Sequence, residues 1–506
     1  MKRVFVLFSV KTGFYFIKQT EGEKMLYRQK FDTFIRIYDN IGYITNKSDF
    51  GDRVVSQSGA IFLSALSRQP QTLDELASKI IEKFTGVDIE TIKTDAKEFY
   101  NMLEQDKFII SGKTPQECDL KDSRFSYKVL EPKTIKNDFT PTVMRAKKST
   151  QKFLEEHFKD KPKLTSLQIE LTSKCNERCV HCYIPHENRI TDIEPEFFYN
   201  VLEQCREMGL LGLTLSGGEP MLHKNFCEFL RKCKEYDFSV NILSNLTLLN
   251  SDIVAEMRAN RLSSVQVSLY SMNPEIHDEI TQLKGSFEKT KTGILQLIKN
   301  DIPLQISCPI MKQNQNCYAD VIKWSHEHKV RVLTNYIIMA KTDGTTQNLV
   351  NRLSLDEVAK VINGIIDNDV LYQDIMAAED IDEADRRDIS NDIVCGICIS
   401  SICMGANGNI YPCAAWQSHV VGNLKETSLK EIWENSEKVK YLRGLRKKDF
   451  PKCLECPDKS FCAMCMVRNA NEHPEGDPLA INEHFCKVAK VNREIVLEWK
   501  ARVKNV

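Results

Sequence analysis

Near its start the chain carries short runs rich in aromatic and β-branched residues that read as strands: Phe34-Ile35-Arg36-Ile37-Tyr38, Tyr43-Ile44-Thr45 and Arg53-Val54-Val55. Val4-Phe5-Val6-Leu7-Phe8 reads as a further strand. Lys11 interrupts it and no small-residue cleavage site follows, which argues against a signal peptide. A helical period follows. Thr72 stands three residues before Glu75 as a capping box, and Leu73, Leu76, Ala77, Ile80, Ile81 and Phe84 form one apolar face. Ile92, Ala96, Phe99 and Leu103 form another. Residues 1–115 are thus expected to be a small α+β domain, and 116–163, richer in Lys, Asp, Pro and Ser, a linker with some helix.

From 164 to 355 strand-like runs alternate with helical patterns at Leu167–Leu171, Leu213–Leu215, Val240–Leu243, Val265–Leu269, Leu304–Ile306 and Val332–Ile338. That rhythm predicts an α/β domain, a parallel sheet with helices outside it. Six such units make an incomplete barrel, with chemistry at the carboxyl ends of its strands. Residues 356–394, with an acidic stretch around Glu379–Asp388, read as a helical bridge, and 395–506 as a cysteine-rich domain.

At 506 residues the chain exceeds one hydrophobic core, so several domains are expected. A net charge of -1 argues against a dedicated nucleic-acid surface, and no apolar run approaches the roughly 20 residues that cross a bilayer. Eighteen cysteines without a secretion signal point to metal ligation before disulfides, and to a cytoplasmic location.

Directly after the first barrel strand comes Cys175-Asn176-Glu177-Arg178-Cys179-Val180-His181-Cys182. Its three thiolates can hold three irons of a four-iron cluster and leave the fourth iron open. The alternative, a structural zinc loop, would need His181 or His186 as fourth ligand. After the second strand stands Ser216-Gly217-Gly218-Glu219-Pro220, where two glycines allow close backbone approach to a ligand and Glu219 can accept from an ammonium group.

Together these segments resemble the radical S-adenosylmethionine superfamily across about Leu164–Leu355. The resemblance implies a partial (β/α)6 barrel and reductive cleavage of S-adenosylmethionine. It makes Gly217, Gly218 and Glu219 cofactor-binding, with Ser268 and Asn245, at later strand ends, as further contacts; either could equally cap a strand.

In the tail, Cys395 and Cys398 precede Gly408-Asn409-Ile410-Tyr411-Pro412-Cys413, and then come Cys453, Cys456, Cys462, Cys465 and Cys486. This looks like the SPASM extension of the same superfamily, which implies two auxiliary four-iron clusters and three [4Fe-4S] clusters in all. By that resemblance Cys395, Cys413, Cys465 and Cys398 hold the inner cluster, and Cys453, Cys456, Cys462 and Cys486 the outer one. Cys403 is an alternative to Cys398; without either, the inner cluster would keep an open site. The spacing of two between Cys462 and Cys465 departs from the three often found in the family. Paired zinc ribbons are the bland alternative. Cys205, Cys227, Cys233, Cys308 and Cys317 read mostly as small buried hydrophobes, and Cys118 is undecided.

The N-terminal strands and helices look like the winged-helix-like precursor-recognition element of peptide-modifying enzymes, similar to the peptide chaperone of pyrroloquinoline quinone biosynthesis. An unstructured leader would add a strand at Arg53–Ser56 and lie against a helix at Ile89–Leu103. DNA fits that helix poorly, since its four acidic residues Glu90, Asp95, Glu98 and Glu104 outnumber its two lysines.

The combination most resembles maturases that bind a ribosomally made precursor peptide and install a crosslink, most of all a thioether, by hydrogen-atom abstraction. Sulfatase maturation, peptide epimerisation, carbon–carbon crosslinking and a non-enzymatic iron–sulfur or zinc sensor are the alternatives. The implied partners are the precursor peptide and a flavodoxin- or ferredoxin-type electron donor, with no nucleic acid or membrane. No catalytic acid or base is assigned.

Overall fold

The computed structural model describes residues 25–47, 51–122, 124–130, 150–187, 189–378, 381 and 386–504. The expected strand at Val4–Phe8 and most of the acidic stretch lie outside them. The chain divides into two compact units, one holding residues up to Lys30 and Ile61–Ser123, the other Phe31–Ala60 and Arg124–Val506. The segment read as one domain over 1–115 thus contributes to both.

In the first unit, strands β1 (Leu26–Gln29), β5 (Gln71–Thr72) and β6 (Ile109–Gly112) form an antiparallel sheet in the order β5-β1-β6. Thr72 and Glu75 close the capping box on helix α1 (Leu73–Ile81), which buries Leu76, Ala77 and Ile80. Helix α2 (Ile89–Gln105) is capped by Asp88 and buries Ile92, Ala96, Tyr100 and Leu103. Cys118 is fully buried.

In the second unit, β2 (Thr33–Tyr38), β3 (Ile41–Asn46) and β4 (Gly51–Val55) form an antiparallel sheet in which β4 is a terminal strand. Six parallel strands follow: β7 (Ser166–Thr172), β8 (Gly212–Gly217), β9 (Ser239–Ser244), β10 (Leu262–Ser268), β11 (Leu304–Pro309) and β12 (Arg331–Asn335). All six match the sequence rhythm and make the α/β partial barrel expected of them. Alternation divides each strand. Leu167, Ile169 and Leu171 join the core beneath the helices, while Gln168 and Glu170 face the other way, where Gln168 donates to Ser216 on β8 (2.8 Å).

The sequence did not announce that the tail extends this sheet. Strand β13 (Ser401–Met404) pairs parallel to β7, and β14 (Asn409–Tyr411) and β15 (Gly422–Asn423) continue the order β7-β13-β14-β15. The residues before the barrel strands seat the three-stranded sheet. Buried Arg36 donates to the carbonyls of Leu210 (2.7 Å) and Asp237 (2.6 Å) and to the Asp237 carboxylate (3.2 Å). Tyr38 donates to the Gly209 carbonyl (2.8 Å), and Leu211 packs among Phe34, Tyr38 and Tyr43. Gly209, Leu210 and Leu211 precede β8, and Asp237 precedes β9, so the sheet sits at the amino ends of the strands.

Candidate functional site

At the opposite, carboxyl ends, β7 runs into the cysteine loop and β8 into Gly217-Gly218-Glu219. These two segments meet through the backbone: Gly218 donates to Thr172 (3.0 Å) and Glu219 to Lys174 (2.8 Å). The approach admits no side chain, since a Cβ on Gly217 would lie 2.1 Å from the Thr172 carbonyl oxygen and one on Gly218 2.2 Å from that of Lys174. The double glycine is therefore required here by the fold itself, whatever it also does for a ligand.

Glu219 is fully buried. Its Oε1 accepts from the Met221 amide (3.1 Å) and Ser244 hydroxyl (2.8 Å), and Oε2 from the Asn245 amide (2.8 Å). Burial pushes its pKa up to about 7, against the opposing pull of those three donors. The carboxylate is aimed and still short of a counter-charge, an arrangement suited to an ammonium group.

Cys179 lies within electrostatic range of both Cys175 and Cys182, and burial pushes the Cys175 and Cys179 thiols up, to about 11 for Cys175. Around them Glu177 Oε1 and His181 Nδ1 are buried with no hydrogen-bond partner, as polar atoms beside a ligand's place would be. Tyr270, which the sequence reading missed, lies with its hydroxyl 4.0 Å from Cys179 Sγ and near Ser268 at the end of β10. Tyr270 is buried and directly follows the apolar run Val265–Leu269, so the sequence does not distinguish it from core.

The tail cysteines fall into two groups. Cys395 neighbours Cys465 and Cys413; Cys398 neighbours Cys395; and Cys403 neighbours Cys413 and Cys398. Cys453, Cys456, Cys462 and Cys486 form the second group, and Cys453, Cys462, Cys465 and Cys486 line one cavity. Among the described residues no three His, Cys, Asp or Glu side chains converge on a point that a single metal ion could occupy. The donor sets are all-thiol, which suits iron–sulfur clusters.

Residues 169–325 match the family model of the radical SAM superfamily, and 395–457 that of SPASM, an iron–sulfur cluster-binding domain. The chain therefore carries a radical SAM domain and a SPASM domain. Among curated relatives, an AdoMet-dependent heme synthase of Methanosarcina barkeri is 26% identical over 323 residues, 59% of this chain and 90% of the relative. The subtilosin biosynthesis protein AlbA of Bacillus subtilis is 24% identical over 316 residues, 60% of this chain and 68% of AlbA. Streptococcus suis SuiB, crystallised with its precursor peptide SuiA, shares the fold at a TM-score of 0.58 and 15% identity, over 91% of this chain and 99% of SuiB.

Between the two cysteine regions sits Glu170, also missed in the sequence. It is buried, accepts from Gln417 of the tail (2.7 Å), and is pushed up to about 7 by burial. Tyr183 has Glu170, Cys182, Cys413 and Cys403 as titratable neighbours, so it stands between the loop and the inner group. The signal was available: a lone carboxylate in the apolar run Leu167–Leu171. Among the described residues no helix is long and apolar enough to cross a membrane.

Proposed function

We propose that this protein is a peptide maturase that binds a ribosomally made precursor by its leader and crosslinks a core residue, with a thioether as the bond formed. The observation that carries the reading is the extent of the structural likeness to SuiB: 91% of this chain, so that the N-terminal segment is included with barrel and tail. AlbA, a bacteriocin biosynthesis protein, supports it.

In this reading Cys175, Cys179 and Cys182 hold the first [4Fe-4S] cluster, and Glu219 takes the ammonium of S-adenosylmethionine, with Gly217 and Gly218 against its backbone and Ser268 toward its ribose. Cluster and cofactor together supply, when bound, a radical able to take a hydrogen atom from the substrate. Cys395, Cys413 and Cys465, with Cys398 or Cys403, hold an inner cluster, and Cys453, Cys456, Cys462 and Cys486 an outer one. Glu170 faces the space between loop and inner group and can accept a thiol proton. The leader adds to terminal strand β4. An acidic flavodoxin- or ferredoxin-type protein supplies electrons in the cytoplasm.

Anaerobic reconstitution followed by incubation with dithionite, S-adenosylmethionine and the candidate precursor encoded beside the gene tests this. The expected result is 5'-deoxyadenosine together with a peptide lighter by two hydrogens. Cofactor cleavage with an iron porphyrin as the only substrate consumed would favour the second reading, a heme-pathway oxidation, which the better coverage of the heme synthase itself supports.

A further inference from the structure

Every polar atom of Asn245 has a partner within the protein. Its amide donates to Glu219 Oε2 (2.8 Å), and its carbonyl accepts from the Thr290 hydroxyl (2.8 Å). Side-chain Oδ1 accepts from the Thr247 amide (3.0 Å) and hydroxyl (2.7 Å), while Nδ2 donates to Asn176 Oδ1 (3.0 Å). Asn176 lies inside the cysteine loop, next to Cys175, and its own Nδ2 donates to Thr247 Oγ1 (2.7 Å). Both Asn245 and Thr247 are buried.

These bonds close a ring. From Asn176 it runs through Asn245 to the Glu219 carboxylate, along Glu219 to its amide, across to the Lys174 carbonyl, and back along two residues of chain to Asn176. A ring of short bonds whose Glu219 and Asn245 members are buried and whose loop members are half-buried has few ways to relax, so the separation between Cys175 and the Glu219 carboxylate is fixed by it. We propose that Asn245 and Asn176 form a latch that positions the cysteine loop against Glu219, and that Asn245 is a positioning residue and not a ribose contact. The latch rests on the reading that loop and Glu219 hold the same cofactor.

The test uses the reconstituted full chain as wild type, Asn176→Ala, Asn245→Ala and the double variant, with S-adenosylmethionine as the probe. Its affinity is measured by equilibrium dialysis beside iron content, and hydrogen exchange across the loop is measured in the metal-free proteins. Each single variant should bind the probe about tenfold more weakly, the scale of one or two lost hydrogen bonds, with iron content unchanged. The double variant should be no weaker than Asn245→Ala, because both break one ring. Exchange at residues 174–178 should rise in either single variant, a readout that survives loss of iron. A ribose contact predicts that only Asn245→Ala weakens binding and that exchange stays unchanged, and that outcome overturns the latch. Wild type that holds iron yet ignores the probe would instead overturn the cofactor reading beneath it.

Discussion

Glu219 has no counter-charge of its own. Its pKa lies at about 7 instead of 4.5, so folding favours its protonated form. Stability from that preference is full below about pH 4 and is lost as pH rises through about 7. Glu219→Gln removes the dependence. The melting temperature of the metal-free variant relative to metal-free wild type is expected to climb between pH 5 and 8, and a flat difference would show that the burial cost is not there. Replacing Cys175, Cys179 and Cys182 together with Ala should remove about four of about twelve irons and stop 5'-deoxyadenosine formation, with the remaining iron intact by elemental analysis. The cysteines were legible because their spacing is their signal. Asn245 was legible as a strand-end residue, but its partners lie 26 and 69 residues away, and no local pattern reports those.

At the scale of elements, the strand Phe34–Tyr38 was visible in its aromatic and β-branched residues, and nothing in that run said where Arg36 would lie. The structure buries it. Arg36 is 2% exposed because its guanidinium meets carbonyls that the turns before β8 and β9 leave unpaired. Gly209 serves the same seat: its φ is +77° and a Cβ there would lie 2.8 Å from the Tyr38 ring. Gly209→Ala should therefore cost about 1–3 kcal/mol and raise hydrogen exchange across β2 and β3, while exchange in β10 and β11 stays as it was. An unaltered β2 would mean that the seat does not depend on this turn. The pairing of β13 with β7 was equally hidden, because register between strands more than 230 residues apart is set by packing and not by local sequence.

At the scale of the whole molecule, the second unit puts the sheet that ends in β4 at the amino ends of the barrel strands and the cysteine loop at their carboxyl ends. A strand of about six residues at about 3.3 Å each separates them by about 20 Å. A precursor held at β4 needs about six extended residues to reach the loop. Shortening the segment between leader and reacting residue is expected to leave binding affinity unchanged and to abolish modification below that length; efficient modification across a two-residue spacer would contradict the arrangement. What the sequence by itself determined was the inventory: six barrel strands, the three-cysteine loop, the double glycine with Glu219, and the tail cysteines, all of which depend on short-range spacing and periodicity. What only the tertiary structure decided was placement. It set Glu170 between the cysteine regions, tied Asn176 to Asn245, divided residues 1–115 between two units and seated Arg36 against the barrel, because each depends on contacts between residues far apart in the chain.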